Sequence, residues 1–170
     1  ELGPDGHPRR GGFLPPVPLP RRMWAGSRLR FHRPLRVGER VELSSTVARG
    51  AEKRGRAGPL VFVTVRHAVS GPGGLSVEEE QDLAFRNVSG PGAAAPSAPV
   101  PPPRGAWRRR VAPDDVFLFR YSALTFNGHR IHYDRTYCME TEGYPGLVVH
   151  GPFAQQCIFD LLRDSTPGRK

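Results

Sequence analysis

Polar and apolar positions change period partway along the chain. In the first half they alternate. Leu29 and Phe31, then Val41, Leu43, Ser45 and Val47, fall at every second position, the spacing of a half-buried strand. Val37, Gly38 and Glu39 can turn between these two runs. The run LVFVTVRHAV, Leu60 to Val69, is dense in β-branched residues and is the clearest predicted strand. Gly71-Pro72-Gly73-Gly74 then turns the chain, and Gln81 to Arg86 fits a further strand. Connections this short permit antiparallel pairing and no crossovers. The N-terminal residues up to roughly position 25 are rich in proline and read as loop.

In the second half the period lengthens. Pro113-Asp114-Asp115 is a helix start, with proline early and acids in the first turn, so a short helix is predicted over Val116 to Leu124. Asp134 can cap a second short helix through about Thr141. Gly151-Pro152 opens a longer one. There Phe153, Cys157, Ile158, Leu161 and Leu162 lie at offsets 0, 4, 5, 8 and 9 and share one apolar face. Pro167-Gly168 ends it.

Between the halves, residues 90–104 read GPGAAAPSAPVPPPR. Pro96, Pro99, Pro101, Pro102 and Pro103 lack a backbone donor and resist both helix and sheet, which predicts an extended linker. The expected organisation is a unit at 1–89, a linker at 90–110 and a unit at 111–170. Strands before the linker and helices after it make an α+β pattern. The last helix has no strand after it to pack upon, so the chain reads as a piece of something longer.

The formal net charge is +9, from 25 basic and 16 acidic residues. Nucleic acid is the first suspicion, but the basic residues are spread along the chain and the only dense cluster is Arg108-Arg109-Arg110. Charge alone is weak support for such a partner, and none is expected. Arginine forks would serve a phosphate-bearing small ligand as well. No apolar run approaches bilayer length and no signal-peptide pattern opens the sequence, so no membrane partner and a cytoplasmic location, mitochondrial in a eukaryote, are expected. Cys138 and Cys157 sit beside apolar residues and read as buried free thiols.

The densest polar cluster is Asn127-Gly128-His129-Arg130-Ile131-His132-Tyr133-Asp134, an irregular stretch between two short helices. Loops held by a scaffold carry catalytic groups, and histidine suits proton transfer near neutral pH. A metal at His129, His132 and His150 is not expected, because the spacing lacks a firm ligand set.

The segment YSALTFNGHRIHYD resembles the motif of the MaoC-like, R-specific enoyl-CoA hydratases, and GLVVHGPF resembles their His-Gly pair at the start of the central helix. It is similar more closely to the mesaconyl-CoA and itaconyl-CoA hydratase-like subgroup, in which two hot-dog units stand in tandem. The resemblance implies an α+β hot-dog fold, an antiparallel sheet wrapped around a central helix. It also implies an incomplete tandem: a partial first unit without the motif, and a partial second unit with the motif and central helix. The implied activity is hydration or dehydration of an acyl thioester, mesaconyl- or itaconyl-CoA among the candidates. Coenzyme A or an acyl carrier would be part of the substrate, with no separate cofactor. His132 falls on the family's catalytic histidine, Asn127 on its aspartate, and Gly151 would offer a backbone N–H to the enolate oxygen. Arg130, His129, His150 and Asp134 are the expected substrate contacts.

Blander roles stand beside these. Asp134 serves equally as a helix cap, and His150 equally as a loop support. Tyr121, Phe119 and Phe126 read as packing residues. An inactive structural fragment and a hot-dog thioesterase are the competing functions. The acyl group, the thiol carrier and the oligomeric state, a homodimer among the options, stay open.

Overall fold

The alternation that marks Leu60 to Val69 as a strand becomes the centre of a four-stranded antiparallel sheet. The structure, a computed structural model, describes residues 1–55, 58–87, 105 and 107–168. The chain divides into two compact units, Arg10–Pro91, and Glu1–Arg9 together with Gly92–Lys170. The first nine residues thus group with the later unit, not with the sheet.

The sheet contains β1 (Arg21–Phe31), β2 (Glu42–Gly55), β3 (Gly58–Gly71) and β4 (Gly74–Arg86). Their order is β1-β4-β3-β2. Residues 37–39 therefore do not close a hairpin. They lie in a connection that runs from one edge of the sheet to the other, because β4 takes the pairing edge of β1 along Arg21↔Arg86 to Phe31↔Val77. The predicted turn at residues 71–74 is a true hairpin, with Gly71 opposite Gly74 and Gly74 at φ 94°. That left-handed backbone suits glycine.

One sheet face is apolar. Val63 stands opposite Leu83, and Val61 opposite Phe85. Val63, Val65 and Phe85 are buried and pack with Val17 and Leu19. Each such side chain contributes about 1.5–3 kcal/mol by leaving water. Val17 and Leu19 correct the reading of the N-terminal stretch: it is loop, yet it covers the core, and β1 already begins at Arg21. Arg10 pins this loop, donating to the carbonyl of Val17 at 3.0 Å and to that of Leu19. Its guanidinium lies 5.3 Å from the Phe85 ring centre.

Residues on the other face form charge ladders. Glu80 of β4 lies between Arg28 of β1 and Arg66 of β3 in register. Arg28 binds Glu80 at 3.0 Å and Asp82 at 2.8 Å, and Thr64 donates to Asp82 at 2.6 Å. Opposite charges facing across strands stabilise a sheet. These pairs explain why β4 extends back to Gly74 through acids that read as non-strand by composition.

The later unit is helical. The run at 90–104 lies outside the described residues, and residues 105 and 107–110 form neither helix nor strand. Helix α1 (Asp115–Thr125) is capped by Asp114, whose carboxylate accepts from Phe117 N at 2.7 Å. Replacing Asp114 with alanine is expected to lower stability by about 1 kcal/mol, readable as a shifted urea midpoint with unchanged slope; no shift would show the cap to be idle.

After α1 come a 3₁₀ turn at Arg130–His132, a π-helical turn at Tyr137–Thr141 and α2 (Gly151–Ser165). Asp134 stands before the helical residues 135–136 that lead into the second of these segments and, as the capping expectation has it, accepts from Tyr137 N at 2.9 Å. On α2, Phe153, Cys157 and Leu161 are half-buried, whereas Ile158 and Leu162 are exposed. Both cysteines are free, and Cys157 is half-buried rather than buried. Phe119 and Phe126 are exposed, so the packing role read for them is not seen among the described residues. No helix among the described residues is long and apolar enough to cross a membrane.

Candidate active site

Helix α1 ends where Phe126 enters the left-handed region at φ 52°. The reversal is closed by Asn127 N donating to Ser122 O at 3.0 Å. The loop then folds on itself: the Asn127 side-chain oxygen accepts from His129 N at 3.2 Å. The tight turn at Arg130–His132 follows, with Tyr133 Oη donating to Gly128 O at 2.9 Å.

This turn buries His132. Its Nδ1 lies 2.7 Å from the carbonyl oxygen of Val148. A carbonyl only accepts, so Nδ1 carries the proton and Nε2 of the neutral ring keeps its lone pair. Val148 is itself held, its N–H donating to Ile131 O at 3.0 Å. Burial pushes the His132 pKa below the ordinary value, against the Val148 hydrogen bond, which raises it. A ring biased toward neutrality with one bare nitrogen is suited to accept a proton.

The His132 ring stacks on that of His150 at 3.8 Å between centroids, and His129 meets His132 edge-on at 5.5 Å. His150 is fully buried. Its Nε2 lies 2.8 Å from Ser122 Oγ, while its Nδ1 has no hydrogen-bond partner among the described residues. Burial, and then the neighbouring His132, lower its pKa to about 4. The Tyr121 ring packs 4.7 Å from His150 and 5.3 Å from Phe153, as a packing residue would.

His150 is also the residue before α2, and its side chain makes no cap hydrogen bond. The His150 side chain therefore leaves the first turn without a side-chain cap, with Gly151 at its head and Pro152 lacking a donor. Such a terminus attracts an anion or a developing negative charge.

Arg130 and Asp134 answer to each other. Arg130 Nη2 and Nε lie 2.7 and 3.0 Å from Asp134 Oδ2, and its guanidinium sits 4.2 Å over the Tyr137 ring. The Tyr137 N–H and then Arg130 hold the Asp134 pKa below the usual carboxylate range. Within the loop the pair acts as a clamp, its charges matched to each other.

The structure brings His129, His132, His150 and Gly151 together and places Asn127 at the loop's entry. Sequence reasoning missed Ser122 and the Val148 carbonyl, which hold the two imidazoles. Ser122 carries no signal beyond its place one residue after Tyr121, and a carbonyl carries none.

A family model described as hydroxyacyl-thioester dehydratase type 2 matches residues 1–170. A mesaconyl-C(4)-CoA hydratase of Chloroflexus aurantiacus is 50% identical over 166 residues, which are 98% of this chain and 59% of that protein. A mitochondrial hydroxyacyl-thioester dehydratase type 2 of Schizosaccharomyces pombe is 28% identical, covering 89% of this chain and 57% of that protein. The chain thus spans less than three fifths of the length of these curated relatives. A MaoC-like dehydratase of Phytophthora capsici matches in structure with TM-score 0.64 and 15% identity over 94% of this chain and 57% of that one. HtdX of Mycobacterium tuberculosis matches with TM-score 0.57 and 19% identity, over 86% and 56%. At such identities the likeness is one of fold alone, the α+β hot-dog class.

Proposed function

This chain belongs to the hydroxyacyl-thioester dehydratase type 2 family, and from that premise we propose that it carries the site of a hydratase/dehydratase for α,β-unsaturated or 3-hydroxy acyl thioesters. The observation that carries the reading is the Nδ1 bond of His132 to Val148, which leaves Nε2 its lone pair, on a ring stacked against His150, the residue that opens α2.

In hydration, His132 Nε2 takes a proton from water as the water oxygen bonds to the β-carbon. Negative charge moves to the thioester oxygen, where the Gly151 N–H receives it; such a donor supplies about 3 kcal/mol to a transition state. The imidazolium then returns its proton to the α-carbon, and dehydration runs the same steps backward. Asp134, kept ionised by Tyr137 N–H and Arg130, is a poor proton donor near neutral pH. The acid and base roles therefore both rest on His132. Asn127 orients the water through its amide, since it cannot take a proton.

The 50%-identical relative is named for mesaconyl-C(4)-CoA, which makes a branched or dicarboxylic acyl-CoA the first substrate to offer. The test follows loss of enoyl-thioester absorbance with mesaconyl-, itaconyl- and crotonyl-CoA. Hydration of at least one is expected, with a preference for the dicarboxylic acyl groups. Silence on all three from a folded protein would sink the reading.

A further inference from the structure

We infer that the N-terminal loop Glu1–Arg9 is a positioning element of the candidate site, with His7 the ring that steadies His129 and, through it, His132. Four consecutive residues of this loop meet three consecutive residues of the site loop. Pro4 O accepts from Arg130 Nη1 at 3.1 Å, and Asp5 O accepts from Arg130 N at 3.0 Å. Gly6 lies so close to Gly128 that a Cβ on Gly6 would fall 1.8 Å from Gly128 O, and one on Gly128 2.6 Å from Gly6 O. The His7 ring lies 4.4 Å from the His129 ring.

The loop is built to hold this shape. Gly3 N donates to His7 O at 2.7 Å, Gly6 N to Gly3 O at 3.0 Å, and Arg9 N to Glu1 O at 3.2 Å. Asp5 Oδ1 accepts from His7 N at 3.0 Å. Gly6 adopts φ 85°, which a side chain would strain. Two backbones pressed together at paired glycines leave no slack, so a shift in one loop moves the other.

His7 touches no reacting group of the proposed mechanism. It contacts His129, which meets His132 edge-on at 5.5 Å, and so it acts through another residue. Its effect belongs on kcat and on the pH dependence of His132, not on substrate affinity. A misplacement of reacting groups by a fraction of an ångström to an ångström costs roughly 10–10²-fold in rate.

The kinetic arm rests on the hydratase reading; a spectroscopic arm does not. The variants are His7→Ala, His7→Phe and Gly6→Ala in the intact protein, with far-UV circular dichroism and melting to show that each is folded. His7→Ala is expected to lower kcat about 10-fold with KM nearly unchanged, and to move the acid limb of the kcat–pH profile. His7→Phe, which keeps a ring against His129, is expected to recover most of the rate. Imidazole ¹⁵N resonances of His129 and His132 are expected to move in His7→Ala and in Gly6→Ala. Equal losses in His7→Ala and His7→Phe would overturn the steadying role of the ring. So would an unchanged pH limb with unmoved His132 resonances. Should Gly6→Ala fail to fold, the His7 pair decides alone. If the wild-type protein hydrates no thioester, the hydratase reading fails and the ring resonances decide: movement at His132 supports the positioning role, and none overturns it.

Discussion

Replacing His132 with asparagine is expected to lower kcat for thioester hydration about 10²–10⁴-fold, the range for loss of a general acid–base group. Asparagine is the informative choice because its amide can stand where Nδ1 stands and donate to Val148 O, while nothing replaces Nε2. The hydrogen bond that anchors the segment at 2.7 Å can thus survive as the proton acceptor is lost. Stability is expected to change little, since a retained hydrogen bond avoids the roughly 1–3 kcal/mol penalty of an unsatisfied buried group. His132→Ala makes the contrast: it should lose the same rate and also melt earlier. The pH dependence follows from burial. The pKa of His132 is pushed down, so its neutral form survives below the ordinary histidine value, and kcat should fall only as pH drops through that lowered value. Rates within about tenfold of wild type in His132→Asn would remove His132 from the chemistry.

The second large effect is on stability in mild acid, and it centres on His150. Its pKa in the folded protein is about 4, against 6.5 for an ordinary histidine. The folded state therefore resists the proton that the unfolded chain accepts. Stability from this group is complete above about pH 6.5, falls as pH drops from there to about 4, and levels below. A gap of this size corresponds to about 3 kcal/mol. His132 shifts the same way and adds to the slope. The depressed carboxylates act at lower pH: Asp82, held down by Arg28 and Thr64, and Glu78, held down by Arg66 and His32, lose their contribution as pH falls below the ordinary carboxylate range. The window between 6.5 and 4 thus belongs to the buried imidazoles. His150→Phe, which keeps a ring against Tyr121, should flatten the denaturation midpoint across that window. If wild type and variant lose stability in parallel from pH 7 to 4.5, the buried imidazole is not the cause.

Much of the secondary structure was legible. The strand at Leu60 to Val69, the turn at residues 71–74, the cap at Asp114 and the helix opened by Gly151-Pro152 all declare themselves through short-range signals. β4 was read short at its N-terminal end because Glu78, Glu79 and Glu80 look like solvent-facing residues in isolation. They are strand because Arg28 and Arg66 stand opposite. The placement of β1 beside β4 had no local signal at all, since pairing partners 46 to 65 residues apart leave no mark in a window of ten.

The candidate site divides the same way. The residue types at 127–134 and the His-Gly pair at 150–151 were visible as chemistry in a loop and as a resemblance to a family. What Arg130 does was not, because a guanidinium next to a carboxylate four residues on can face a ligand or its neighbour, and only the folded loop shows it turned to Asp134 and the carbonyl of Pro4.

By itself the sequence determined what short-range physics controls: where strands and helices start and stop, where the backbone needs glycine, and which titratable groups lie in one loop. Tertiary structure alone decided the stacking of His132 on His150, the tautomer set by Val148, the fall of the His150 pKa and the approach of Gly6 to Gly128. Each of those depends on distance through space between segments far apart in the chain, and on the exclusion of water that only packing brings.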